Sequence, residues 1–169
     1  VEGEARRLPR PFLVIATENP VEQAGTFPLP EAQLDRFFLR TALGYPDAVH
    51  ELQIIQAQRR RHPLADLEPV VSAGDVKLMQ RAADEIYIDV ALQRWIVDLV
   101  AATRVASVCR LGASVRGSLA LDRAVRGRAL LQGREYATAD DVEELFPFVV
   151  GHRVAFRHGL PADERGARL

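Results

Sequence analysis

The sequence predicts a mainly α protein in which a short α/β stretch leads into a small helical bundle, and three observations point there. Apolar residues recur at helical spacing from residue 47 onward, with caps at their starts. Before that, Phe12-Leu13-Val14-Ile15-Ala16 is a continuous apolar run, too short for a lone helix and too unbroken for a half-exposed strand. It suits a strand covered on both faces, as in a parallel sheet. Between the two regions, Gly44-Tyr45-Pro46 marks the change of pattern.

The first strand is expected over 12–17 and ends in Thr17-Glu18-Asn19-Pro20. Ligands of parallel sheets sit beyond the carboxyl ends of the strands, so these residues fall where a site would be. Pro20 steers Asn19 away from helical geometry and into a bend. A proline-opened helix then carries Asp35-Arg36, and a second strand is expected over Phe37–Leu43, with Phe37, Leu39, Thr41 and Leu43 on one face.

Asp47 can cap a helix with Val49, Leu52 and Ile55 as its apolar positions, ending near Arg59-Arg60-Arg61 before Pro63. Ser72-Ala73-Gly74-Asp75 is a capping box with Asp in the place of Glu, opening a helix with Val76, Met79, Ala83 and Ile86 inward. Asp89 caps the helix with the clearest period in the chain: Leu92, Trp95, Ile96, Leu99 and Val100. Ser114 caps a helix with Leu121, Val125 and Ala129 on a shared face. Thr138-Ala139-Asp140-Asp141 starts the last, with Val142, Leu145 and Phe146 inward and Pro147 expected to kink or split it. Residues 159–169, rich in Gly, Pro and charge, read as a frayed tail.

Composition narrows the function classes. In 169 residues, 48% are apolar and 27% charged, the balance of a packed protein rather than a disordered one. With 22 basic and 23 acidic side chains the net charge is −1, so no global field draws the chain to nucleic acid or to a membrane surface. Cys109 is the single cysteine and has no disulfide partner in the chain, which fits a reducing cytoplasm. His50, His62, His152 and His158 show no metal-ligand spacing, and no metal site is expected. The basic run Arg59-Arg60-Arg61-His62 ends a helix, where cations are favoured, and reads as a solvated helix end.

Five motifs in order, ATENP, GTFPLPEAQLDRF, GYP, RLGAS-x-R and ATADDV, run from Ala16 to Val142. Together they resemble the second half of the core and the lid of the MoxR family of AAA+ ATPases. The resemblance covers nearly the whole chain, to about His158. It implies that residues 1–44 are the C-terminal part of an AAA+ α/β core, 45–158 a helical lid domain and 159–169 a flexible tail. It implies further that Asn19 is the sensor 1 residue, Arg36 the arginine finger and Arg116 the sensor 2 arginine. A neutral amide at Asn19 would orient the attacking water or bind the γ-phosphate, where a carboxylate would repel it. A guanidinium at Arg36 is always charged and forks onto phosphate oxygens, here those of a nucleotide held by a neighbouring subunit. Arg40 is its nearby competitor, and pairing with Asp35 is its ordinary structural alternative. Arg116, at a helix start where a cation is disfavoured by the dipole, has pairing with Asp122 or another neighbouring acid as its alternative. Val115 stands where the family commonly has proline, and Gly117 where it has alanine.

Two parts of an ATP site cannot be written in this sequence. A P-loop needs a lysine after its glycines, and the only lysine, Lys77, follows Gly74-Asp75-Val76 in a helical region. Gly112–Ser118 copies the glycine spacing but has Ser118 in the place of lysine. Asp84-Glu85 follow Arg81-Ala82-Ala83 and not the apolar strand of a Walker B site. The chain is therefore expected to be a C-terminal fragment, inactive alone, with exposed strand edges in residues 1–44 that invite self-pairing. The parent implied by the resemblance hydrolyses ATP with Mg2+ as a homo-oligomeric ring, a hexamer, in the cytoplasm. It acts in chaperone-like maturation of protein complexes alongside a von Willebrand factor A-type domain protein, without a membrane. A non-enzymatic helical interaction module and a nucleic-acid-remodelling motor are the alternatives.

Overall fold

The computed structural model describes residues 5, 7–18, 29–58 and 63–157. Its elements are α1 (Glu31–Leu34), α2 (Ala48–Gln58), α3 (Ala73–Glu85), α4 (Val90–Val105), β1 (Cys109–Leu111), α5 (Val115–Leu131), α6 (Ala139–Val150) and β2 (Ala155–Phe156). Short 3-10 turns occupy Pro63–Asp66 and Gly151–Arg153. The fold is mainly α, as the apolar periods require.

The core lies among α4, α5 and α6. Ile96 and Val100 of α4, Leu121, Val125 and Ala129 of α5, and Val142, Phe146, Val149 and Val150 of α6 are all buried. Leu92, Trp95, Leu99 and Leu145 pack against this cluster while keeping part of their surface in solvent. The stripes read from the sequence in these three helices are the faces that meet.

Local chemistry sets the boundaries. The Asp89 carboxylate accepts from the Ala91 N–H at 2.7 Å and opens α4. Ser72 and Asp75 exchange capping bonds at 2.8 and 3.1 Å and open α3. Helix α5 ends in a Schellman motif: Gly133, at φ +68°, donates to the Leu130 carbonyl, and Arg134 to that of Ala129. That turn throws Arg134 back onto the start of α6. Its guanidinium grips Asp141 with two bonds, Nη2 to Oδ1 at 2.6 Å and Nη1 to Oδ2 at 2.9 Å. Asp141 also accepts from the Thr138 N–H at 2.8 Å, so one buried carboxylate joins the end of α5 to the start of α6.

Burial works to raise the Asp141 carboxyl, but the bonds from Arg134 and Thr138 outweigh it and hold it below its ordinary 3.8. A carboxyl lowered in the folded state stabilises above its unfolded pKa, and that contribution is lost as pH falls through the folded value. Asp141→Asn is therefore expected to cost about 1–3 kcal/mol near neutrality, the exposed edge of Arg134 screening part of the pair. Urea unfolding of both proteins from pH 7 to pH 2.5 checks this. The stability gap should stay constant down to about pH 5 and close below the ordinary carboxyl range.

Several expected features differ. No strand forms over 12–17 or 37–43: the backbone there joins no strand ladder, and Phe12, Leu13, Val14 and Ile15 are exposed, Ile15 at 81%. A strand takes its hydrogen bonds from its neighbours, and among the described residues none lies beside these segments. The one sheet among those residues pairs β1 with β2 antiparallel, Cys109 opposite Phe156. Helix α3 buries none of its residues: Val76 and Ala83 are half-buried and Met79 is exposed, while Ile86, just past the helix, is buried. Helix α2 is capped by Asp47, which accepts from the His50 N–H at 2.9 Å, yet Val49, Leu52 and Ile55 face solvent. Helix α6 continues through Pro147 without splitting.

Gly112 is required by packing. The strand-to-helix link of β1 and α5 passes so close to the end of α4 that a Cβ on Gly112 would lie 2.5 Å from the Arg104 Cα. Beside it, the Ala113 N–H donates to the Thr103 hydroxyl at 3.0 Å, and the Arg104 Nε donates to the Ala113 carbonyl at 2.8 Å. The glycine that copies a phosphate loop in spacing serves as a contact between helix and loop.

Candidate functional site

The residues singled out for chemistry converge on the short turn after α1. Pro30 precedes α1 and its carbonyl accepts from the Gln33 and Leu34 N–H groups, so the helix opens at the proline as expected. The turn closes with the Arg36 N–H on the Gln33 carbonyl at 3.1 Å and the Phe37 N–H on that of Leu34 at 3.0 Å. These bonds set Asp35 and Arg36 side by side but turned to different surroundings.

Asp35 turns toward the helical bundle. The Ser114 hydroxyl donates to its Oδ2 at 3.0 Å, and the Arg116 Nη1 lies 3.3 Å from the same oxygen. On the other side, the Arg153 Nε lies 3.4 Å from Oδ1. Ser114 also caps α5, accepting from the Arg116 N–H at 3.2 Å. A carboxylate at this helix start is favoured by the dipole, and it offsets the unfavourable placement of Arg116. Arg116 thus has an acidic neighbour, and it is Asp35 rather than Asp122. Asp122 is taken by Arg126, Nε to Oδ2 at 3.0 Å, and by Gln93.

Arg36 is exposed, and among the described residues its guanidinium has no hydrogen-bond or ionic partner. Pairing with Asp35, its structural alternative, does not occur. Arg40 differs: its Nη2 lies 3.4 Å from Glu18 Oε2, and its N–H donates to the Phe148 carbonyl at 2.9 Å. Arg116 keeps much of its surface in water, its side chain 61% exposed. Asn19 lies outside the described residues, as do Arg59-Arg60-Arg61-His62 and the tail from His158 onward.

Sequence reasoning missed Arg153 and His152. The Arg153 side chain is 2% exposed at the end of the apolar run Phe146–Val150. Burial works against its charge and Asp35 works for it. The Arg153 guanidinium donates to the Phe37 carbonyl at 2.5 Å, to that of Phe38 at 3.2 Å and to that of Val149. The His152 Nε2 sits 2.9 Å from Arg153 Nη1, and its Nδ1 sits 3.2 Å from the Phe148 carbonyl. Nε2 also lies 3.1 Å from the Phe37 carbonyl. A neutral ring with its proton on Nδ1 satisfies the Phe148 and Arg153 contacts and leaves the Phe37 carbonyl to the Arg153 Nη2. Burial and the adjacent Arg153 charge, outweighing the carbonyls of Phe37 and Phe148, lower the His152 pKa and favour that form. The signal in the sequence was an Arg-Val pair inside an apolar stretch, a charge where a core is expected.

Comparison with known proteins places this architecture. Residues 1–39 match the model of the ATPase family associated with various cellular activities (AAA), and residues 101–168 match the AAA lid domain. YeaC, an uncharacterised protein of Bacillus subtilis, is 43% identical over 154 residues, which is 91% of this chain and 48% of YeaC. The chaperone MoxR1 of Mycobacterium tuberculosis is 38% identical over 173 aligned residues, covering 97% of this chain and 45% of MoxR1. A crystal structure of a candidate ATPase from Cytophaga hutchinsonii superposes with a TM-score of 0.84 at 31% identity, covering all of this chain and 53% of that one. The chain belongs to the MoxR family of AAA+ ATPases. It spans about half the length of the curated relatives it matches. Among the described residues, no helix is long and apolar enough to cross a membrane.

Proposed function

We propose that this chain is the sensor and lid portion of an ATPase that couples ATP hydrolysis to chaperone-like remodelling or maturation of protein complexes. The observation that carries the reading is Arg36: an exposed guanidinium without a partner among the described residues, beside an aspartate whose carboxylate faces the bundle. A free arginine at the surface is suited to a phosphate supplied from outside the chain, and such a phosphate belongs to a nucleotide on a neighbouring subunit of a homo-oligomeric ring, a hexamer.

Residues 1–44 act as the end of the α/β core and 45–158 as the lid. Asn19 orients the attacking water, Arg36 meets the γ-phosphate in trans and Arg116 contacts nucleotide phosphate when Asp35 yields it. ATP and Mg2+ are held mainly by a P-loop and a Walker B strand that this sequence does not contain. The chemistry the nucleotide brings is phosphoryl transfer to water, and the arginines contribute charge stabilisation alone. The fold offers a natural coupling, because Arg116 and Asp35 join the lid to the finger turn. A cytoplasmic setting and a von Willebrand factor A-type partner complete the proposal.

The test compares purified residues 1–169 with the full-length protein for ATP binding and Mg2+-dependent phosphate release. Turnover by the full-length protein alone supports the reading. Turnover by residues 1–169, or a full-length protein that neither binds nor hydrolyses ATP, overturns it.

A further inference from the structure

We propose that Arg153 is the positioning residue of Arg36, holding the finger turn against the end of α6 from both sides of that arginine. The inference rests on Arg36 acting as proposed above, but the clamp itself is a matter of geometry. Before Arg36, the Asp35 carboxylate faces the Arg153 Nε at 3.4 Å. After Arg36, the carbonyls of Phe37 and Phe38 accept from the same guanidinium, at 2.5 and 3.2 Å. One buried side chain therefore grips the residues flanking an arginine it does not touch.

The clamp is one-sided chemically. Nε of Arg153 is buried without a hydrogen-bond partner, so its contact with Asp35 is a charge attraction rather than a full hydrogen bond. Burying a guanidinium is costly, and its donors are satisfied largely by carbonyls of the finger turn and of α6. A planar fork can reach carbonyls on two segments at once, whereas an ammonium cannot span them. His152 joins the same cluster, its Nε2 lying 2.9 Å from the Arg153 Nη1 and 3.1 Å from the Phe37 carbonyl, and its Nδ1 3.2 Å from the Phe148 carbonyl of α6. Motion of the end of α6 would therefore reach Arg36 through the backbone at 37–38. The aspartate that Arg153 faces also meets Arg116, so any move of Arg116 toward a ligand shifts charge within the same clamp.

The experiment uses the full-length protein with Arg153→Lys, alone and combined with Arg36→Ala. Turnover should fall about 10–100-fold in Arg153→Lys, the scale set by misplacing a catalytic group by about an ångström. ATP binding and assembly should be unchanged. In the Arg36→Ala background the same substitution should change turnover less than about twofold, because two residues acting through one group are not additive. An equal loss in both backgrounds, or lost ATP binding, would overturn the proposal.

Hydrogen exchange gives a readout independent of ATP. The Arg36, Phe37 and Arg40 amides, bonded to Gln33, Leu34 and Phe148, should exchange at least about tenfold faster in Arg153→Lys, with α5 unchanged. Unchanged exchange at those amides, or acceleration throughout the protein, sinks the clamp whether or not the ATPase reading survives. Should Arg153→Lys fail to fold, the wild-type protein decides. Protection of those amides matching the end of α6 supports the clamp, and unprotected exchange refutes it.

Discussion

Replacing Arg36 with alanine in the full-length protein is expected to lower ATP turnover about 10³–10⁵-fold while ATP binding and ring assembly persist. That range corresponds to about 4–7 kcal/mol of lost transition-state stabilisation. The size follows from what the side chain would do: a guanidinium in a water-poor interface meets charge that grows only in the transition state. Among the described residues nothing in the fold depends on the Arg36 side chain, which is exposed and unpartnered there. Its removal should leave the melting temperature of the chain unchanged, and the loss should be one of kcat rather than of KM. Parallel measurement of nucleotide affinity, oligomer mass and phosphate release separates these quantities. Unaltered turnover would make Arg36 a surface residue and shift attention to Arg40, whose pairing with Glu18 a phosphate would first have to break.

The largest effect on stability is expected at Leu121. Its side chain is fully buried at the middle of α5, in the cluster shared with Val100, Val142 and Val149. Leu121→Ala removes contacts that α4 and α6 cannot both restore by moving, because the Thr103 and Arg104 bonds to Ala113 tie α4 to the start of α5 and the Arg134–Asp141 pair ties α6 to its end. A cost of about 2–5 kcal/mol is expected, the spread depending on how far the cavity collapses. Against the roughly 5–15 kcal/mol of a typical domain this is a large share. Urea denaturation should show a lower midpoint with an unchanged slope. A change below about 1 kcal/mol would mean that α5 is not the centre of the core.

The helices with caps and strong periods were legible without coordinates. Ser72, Asp89, Ser114 and Thr138 mark their starts, and the stripes of α4, α5 and α6 are the buried ones. Caps are local, needing only a side chain and the amides two or three residues on. The apolar residues of 12–16, α2 and α3 were read as equally inward; those of 12–16 and α2 are exposed, while along α3 Ile86 is buried, Val76 and Ala83 are half-buried and Met79 is exposed. A pattern says which face of an element can be buried but not whether a partner is present to bury it. In the described chain Val49, Leu52 and Ile55 have no such partner, and the unbroken run from Phe12 to Ile15 meets solvent.

Site residues divided in the same way. The motif around Arg36 and the departures beside Arg116, at Val115 and Gly117, were visible as residue types in order, and the structure sets Asp35 between Arg116 and Arg153. The buried Arg153 was invisible because its role is made by carbonyls, and carbonyls carry no letter in a sequence.

Sequence alone determined the class of the protein, the helical order from 47 onward, the absence of P-loop and Walker B residues, and the candidates Asn19, Arg36 and Arg116. These depend on side-chain identity and on spacing along one helix or turn. Tertiary structure decided that Asp35 serves the bundle and not Arg36, and that Gly112 answers to a helix rather than a phosphate. It also decided that α2 stays bare and that a buried arginine grips the turn carrying Arg36. The contacts of Asp35 and of Arg153 join residues about 80 to 116 positions apart, where chain closure and mutual burial, not local propensity, choose the partner.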